Sequence, residues 1–334
     1  MRADGNTSYW GGPLEDEVER RTQNLLGKDL HLHKSGNDRD DTDAREEALD
    51  ILDEPDNRYL NMRQIIMKYK KSHGSGTMLT FPEKQEVHRH MQGWEADYYV
   101  NVYGDGSQTD PTNWWAALGG FGVWMPDWNK DDCQDQDKKE TSTYGPAVGQ
   151  TGSSTRQELM AWLAVLAMPI RTLYASDSKA VVDKANRLIE AARKMEQSGT
   201  EQHQSRMGNP FGKPWGMQPD GELWEQAWQA VLRRGAENQR IRKVKGHATE
   251  ADVQNGTATR KDKDGNHYSD QNADKGVEAL YGPGMVKLAH WAADRHKAYK
   301  RFMMRIQRFI AGMTVHVKGA QGQAACCGQG HTWV

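Results

Sequence analysis

The hydrophobic pattern of this chain changes period several times, and each change predicts an element. From Asp97 to Ser107, Tyr98, Val100 and Val102 alternate with Tyr99, Asn101 and Tyr103, the two-residue period of a half-buried strand. Gly104-Asp105-Gly106 ends it. Leu118–Met125 reads as a second strand whose glycines mark close backbone approach, and Thr143–Gln150 as a short third. Leu159–Met168 is almost unbroken apolar sequence, which predicts a helix buried on most of its surface. A fourth strand covers Arg171–Asp177. Amphipathic helices follow over Ser178–Lys194 and Gly221–Arg234, then a fifth strand over Gln239–Ala248. Asp270–Leu280 opens a final core helix. This order of elements describes an α/β layer built on a mixed sheet.

The flanks have a different texture. Residues 1–95 form an acidic extension, with runs such as "GNDRDDTDAREE" that bury little apolar surface, so residues 1 to about 57 are expected to be mostly disordered. Tyr59–Lys71 carries a short basic amphipathic helix, and "SHGSG" (Ser72–Gly76) reads as a linker. Residues 96–281 hold the α/β domain. Residues 282–334 form a basic amphipathic helix and a flexible tail, in which Phe302, Ile306, Phe309 and Ile310 share one face. That face is expected to pack on the domain or dock a protein partner, with added nucleic-acid affinity as the alternative.

Composition narrows the class. The 334 residues carry 44 Lys and Arg against 46 Asp and Glu, an overall balance that hides the uneven distribution. Cys133, Cys326 and Cys327 make no disulfide framework, which points to a reducing compartment, intracellular and either nuclear or cytoplasmic. Cys326, Cys327 and His331 have poor spacing for a metal site. No apolar run reaches membrane-spanning length, no targeting signal is recognised, and no membrane partner is expected.

The carboxylates carry the chemistry. Asp105 ends the first strand, Asp177 ends the fourth, Glu158 opens the helix between them, and Asp274 opens the last helix. Each has an ordinary reading alone: Asp105 as a turn residue, Asp177 as an N-cap, Asp274 as a first-turn dipole partner. Glu158 fits a capping box with Thr155, three residues earlier. Ligands of open α/β sheets gather where strands end. Four acids brought to one such edge repel each other unless protonated or bridged by cations. A hard divalent ion, Mg²⁺ or Mn²⁺, is the natural counter-charge, and two such ions would clamp the attacking and leaving oxygens of a phosphodiester.

Five blocks hold these residues in one order: "VYGDGS" with Asp105, "STRQELMA" with Glu158, "YASDSKAVV" with Asp177, "VKGHA" with His247, and "NADKGVEAL" with Asp274. Together they resemble a type 1 ribonuclease H domain, the RNA–DNA hybrid endonuclease also appended to retroelement reverse transcriptases. The resemblance spans Ala96–Leu280 and implies a ribonuclease H-like five-stranded mixed sheet flanked by helices, with largely disordered or helical extensions at both ends. It implies two Mg²⁺ ions, replaceable by Mn²⁺, with Asp105 bridging both, Glu158 and Asp177 completing one shell and Asp274 the other. It implies a mobile His247 that assists water deprotonation or product release, and products ending in a 5′-phosphate and a 3′-hydroxyl. Glu158 is expected both to cap its helix and to serve the metal site.

The partner so implied is an RNA–DNA hybrid, sensed through 2′-hydroxyls along its minor groove. Ser107, Ser153, Ser154, Thr155 and Ser178 stand at the right edge for such contacts. The chain departs from the bacterial pattern in placing hydroxyls where amides precede the Glu, and Lys179 where a glutamine is common. The long stretch between Asp177 and His247 offers Arg193, Lys194, Arg206, Lys213 and Trp215 as a basic, aromatic grip on the DNA strand, with a plain surface loop as the alternative. The loop from His247 to Asp274 is expected to be mobile. No Tyr/Phe-x-Asp-Asp polymerase signature is present. Two rival readings stay open: a DNA nuclease or integrase-like enzyme of the same fold, and a catalytically silent hybrid-binding module.

Overall fold

The computed structural model describes residues 38–72, 79–87, 100–126, 141–147, 153–198 and 209–327. Five strands, β1 (Val102–Gln108), β2 (Gly119–Met125), β3 (Thr141–Pro146), β4 (Thr172–Ser176) and β5 (Gln239–Lys243), form one sheet in the order β3-β2-β1-β4-β5. The first three meander antiparallel, while β4 and β5 add in parallel beside β1. The sheet is therefore mixed, as the sequence pattern predicts, and β1 runs through its centre.

Seven helices flank it among the described residues: α1 (Asp38–Asp53), α2 (Met62–Ser72), α3 (Ser154–Leu166), α4 (Lys179–Ser198), α5 (Gly221–Arg234), α6 (Glu250–Gln254) and α7 (Arg260–Cys327). Alternation along the strands sends Val102, Val123, Tyr174 and Ile241 into a core with Leu159, Trp162, Leu163, Val181 and Trp228 from α3, α4 and α5. Tyr103, Trp124, Leu173 and Ala175 belong to a separate cluster. Helix α7 crosses the sheet at the β2 glycines. A Cβ on Gly122 would lie 2.2 Å from the Ala273 nitrogen, and one on Gly120 would lie 2.3 Å from the Val277 nitrogen. Those glycines allow the close approach that the sequence suggested.

From Asp38 on, the described part of the N-terminal extension is largely helical where the composition suggested mostly disorder. Asp38–Asp53 is a helix because Ala44, Ala48 and Ile51, spaced four and three residues apart, form a buried stripe, while Asp43, Glu46, Asp50 and Asp53 are exposed. Asn57 then closes the turn, its Nδ2 donating to Ile51 O at 2.8 Å and to Glu54 Oε2 at 2.9 Å. Ile51 joins Ile65 and Ile66 of α2 in a cluster with Trp115, Leu118, Val277, Met285 and Leu288.

Helix α7 begins at Arg260, well before the start expected near Asp270. Gly265, which reads as a turn residue, sits helical against Tyr103: a Cβ there would lie 2.5 Å from the ring. Tertiary packing overrides its weak helix propensity. The expected loop after His247 is largely structured, with α6 held by a capping box between Thr249 and Asp252. Helix α7 breaks at Gly282 (φ 74°) before Pro283, and Glu47 Oε2 of α1 accepts the Gly284 N–H at 3.0 Å. Beyond Asp294 the helix still meets the domain through His296, edge-on to Trp115, and Lys297, bonded to Asp110 at 2.9 Å. Phe302, Phe309 and Ile310 are 52%, 68% and 57% exposed, so this face does not pack on the domain, no other described element lying opposite it; Ile306 is half-buried. Among the described residues no helix is long and apolar enough to cross a membrane. His73–Gly76 of the linker, Cys133, Arg206 and the final seven residues lie outside the described residues.

Candidate active site

Asp105 sits on central strand β1 and is buried. The next residue must be small. A Cβ on Gly106 would fall 2.4 Å from the Glu158 nitrogen and 2.5 Å from the Gln157 carbonyl carbon. This contact brings the end of β1 against the opening turns of α3, and so brings Asp105 beside Glu158. The Gly106 N–H donates to Asp105 Oδ1 at 2.7 Å.

Helix α3 starts differently from the expected capping box. Ser153 is the N-cap, its Oγ accepting the Arg156 N–H at 3.1 Å, so Thr155 and Glu158 do not form a box. The cap lies two residues earlier than the sequence spacing suggested, which moves Glu158 past the first turn and frees its carboxyl from capping. That carboxyl instead accepts the Ser176 hydroxyl at 3.2 Å and shares a hydrogen bond with Asp105. Arg156 anchors the same turn from the other side, bonding Asp220 at 3.0 Å and Glu222 at 2.5 Å.

Asp177 follows directly on β4 and is half-buried. One oxygen from each of Asp105, Glu158 and Asp177 lies within 4.8 Å of the others. Burial, followed by the charge of Asp177, pushes the Asp105 carboxyl up to about 7. Burial and then the charges of Asp105 and Asp177 hold Glu158 well above the usual carboxylate range. Among the described residues no Lys or Arg forms an ion pair with any of the three. Buried carboxylates that repel one another, offer only oxygen donors and lack a protein counter-charge fit a hard divalent cation.

Asp274, the expected fourth acid, stands apart from the three. Asp274 is exposed and accepts the Ser107 hydroxyl at 2.6 Å; it stands in the fourth turn of α7, not at a helix start. Asp270, one turn earlier on the same face, is half-buried. Burial, then the charges of Asp274 and Asp177, raise its carboxyl, and its own charge acts on Asp105. The sequence reading passed over Asp270. Its signal was the small pair Ser269 and Ala273, which lets α7 approach Gly122 closely.

His247 is exposed with φ 47°, and its charge acts on Asp270, which places it at the rim of the acids. The other expected contact residues stand at the start of α3, at both ends of α4 and before α5. Ser154 is exposed and Thr155 half-buried at the start of α3, while the Ser178 N–H donates to Ser176 Oγ at 3.0 Å. Lys179 is exposed and pairs with Asp183 at 2.5 Å. Arg193 and Lys194 both pair with Glu190. Lys213 is exposed, and Trp215 is half-buried with its ring edge-on to Phe211 at 6.1 Å. Lys184, which the sequence did not single out, lies over Trp224 at 4.4 Å, Phe211 at 5.4 Å and Trp215 at 5.9 Å. Burial, then the charge of Arg187, pushes its amine down to about 8.

No protein-family model and no curated protein matches the chain. Among solved structures, the PFV RNase H domain in solution shares 19% identity with a TM-score of 0.36, over 53% of this chain and 93% of that one. LC9-RNase H1, described as a type 1 RNase H with the type 2 active-site motif, shares 18% identity with a TM-score of 0.34, over 54% and 72%. The Prototype Foamy Virus Protease-Reverse Transcriptase shares 16% identity with a TM-score of 0.33, over 53% of this chain and 20% of that one. Likeness of this extent leaves the assignment to the strand order, the antiparallel meander with two parallel additions, and the acids placed within β1 and directly after β4. On those features the chain carries a ribonuclease H-like domain.

Proposed function

We propose that this domain is a divalent-metal-dependent nuclease that cuts the RNA strand of RNA–DNA hybrids. The observation that carries this reading is the gathering of Asp105, Glu158 and Asp177 within 4.8 Å, with no Lys or Arg ion pair to them among the described residues. These three acids, with Asp270 as the fourth, are the residues to hold Mg²⁺, with Mn²⁺ as a substitute and two ions as the full complement. Divalent ions supply Lewis acidity toward a phosphodiester and acidify a bound water. The chain's own residues do the rest. Asp105 offers oxygens from the central strand, Glu158 is steadied by Ser176, and Asp177 is backed by Gly246. His247 at the rim takes or gives the proton that hydrolysis moves, leaving 5′-phosphate and 3′-hydroxyl ends.

Substrate grip follows the same edge. Ser107, tied to Asp274, and Ser154, Thr155, Ser178 and Lys179 offer hydroxyl and cationic contacts to a minor groove. Lys184, Phe211 and Trp215, joined by Lys213, form a basic, aromatic patch suited to the phosphates and bases of a DNA strand.

The test is cleavage of labelled RNA–DNA hybrid, RNA duplex and DNA duplex in Mg²⁺, Mn²⁺ or EDTA, beside an Asp105→Asn variant. Cleavage confined to the hybrid, lost in EDTA and in the variant, is the expected result. Cleavage of DNA duplex would favour a DNA nuclease of this fold. Hybrid binding without cleavage would favour a silent binding module.

A further inference from the structure

Tyr174 places beside the acids a hydroxyl that the reading above does not use. It lies on β4, in register with Val102 of β1 and Ile241 of β5, and is fully buried. Its ring takes the space that a side chain at position 104 would need: a Cβ on Gly104 would sit 2.4 Å from the Tyr174 oxygen and 2.6 Å from its Cε2. Gly104 thus lets the phenol reach along β1 toward Asp105. The hydroxyl makes no hydrogen bond of bonding geometry in this structure. Burial, then the charges of Glu158, Asp105 and Asp177, hold its pKa well above the usual phenol value, so it stays a donor. Ser176, two residues along the same strand face, also acts on it, and the Ser176 hydroxyl itself donates to Glu158 Oε2.

An unpaired buried hydroxyl is uncommon in a core, and a phenylalanine would fill the same space. A carboxylate that holds a cation keeps lone pairs that outer donors must satisfy, and such donors fix its orientation. Glu158 has Ser176 as its donor, and Tyr174 stands two residues before Ser176 on the same face of β4. We propose that Tyr174 is a positioning residue for the cation site, its hydroxyl donating to the Glu158 carboxylate, directly or through Ser176, when the acids hold a divalent ion. This rests on reading the acids as a cation site.

The test is calorimetric titration of the full chain with Mn²⁺ for wild type, Tyr174→Phe and Asp105→Asn, with melting curves in EDTA and steady-state kinetics on hybrid. Tyr174→Phe is expected to melt with wild type, to bind Mn²⁺ roughly ten-fold more weakly, and to lose kcat with the hybrid KM unchanged. Unchanged Mn²⁺ affinity in a folded Tyr174→Phe overturns the proposal and leaves the cation site standing. Wild type that takes up no more Mn²⁺ than Asp105→Asn overturns both. Independently of any variant's folding, infrared difference spectra of wild type with ring-labelled tyrosine should show a phenol C–O shift on adding Mn²⁺. No shift overturns the proposal.

Discussion

Gly246 lies so close to Asp177 that a Cβ at that position would fall 2.0 Å from the acid's Oδ2. The segment after β5 thus forms a wall behind the carboxylate, and the next residue, His247, takes the left-handed conformation that carries the chain away. A methyl group at 246 must push the acid or the loop. Gly246→Ala is therefore expected to keep the fold, by circular dichroism, while weakening Mg²⁺-dependent cleavage roughly ten-fold or more. Wild-type activity in this variant would show that the loop yields freely and does not set Asp177.

The acids of the strands were legible because period-2 alternation locates the strands themselves; Asp177 stands directly after β4, whereas β1 does not stop at Asp105 as expected but runs on to Gln108. Glu158 was legible as a site residue but not in its setting. Capping-box spacing points to Thr155, yet the cap is Ser153, whose hydroxyl also donates to Asp220 Oδ2 at 2.9 Å. Asp270 was hidden by the "KDGNHYSD" stretch, which reads as loop until Gly265 is seen packed against Tyr103. The Asp38–Asp53 helix was hidden because its acidic face outweighs three buried apolar positions in any composition-based reading.

Asp270 and Asp274 separate cleanly. Asp270 acts electrostatically on Asp105, while Asp274 is exposed and bonded to Ser107. Single-turnover cleavage is expected to fall by roughly a hundred-fold in Asp270→Asn and by only a few-fold in Asp274→Asn. The reverse order would restore Asp274 as the metal ligand.

The acids set a pH dependence on stability without metal. Asp105 is pushed up to about 7, first by burial, and Glu158 is raised the same way. The folded protein therefore keeps protons that the unfolded chain, with carboxylate pKa values of about 4, has released. Stability present below about pH 4 is lost as pH rises through about 7. Asp105→Asn removes that penalty. In EDTA at about pH 8 the variant should melt roughly 4 °C or more above wild type, and at about pH 4 the gap should close. A variant less stable than wild type at the higher pH would contradict the charge repulsion.

The bond from Glu47 to the Gly284 N–H acts as a cap supplied by another helix, at the point where α7 restarts after Gly282. Glu47→Ala should cost about 1 kcal/mol in urea unfolding, the usual loss for a helix cap. No change in the midpoint would mean that water replaces the carboxylate without cost.

The central claim concerns where a cation binds, and anomalous scattering from a crystal grown with Mn²⁺ measures it most directly. A peak sharing oxygens of Asp105, Glu158 and Asp177 at about 2.1 Å is the predicted result. Mn²⁺ bound only elsewhere at saturation, with Glu158 still hydrogen-bonded to Asp105, would contradict it.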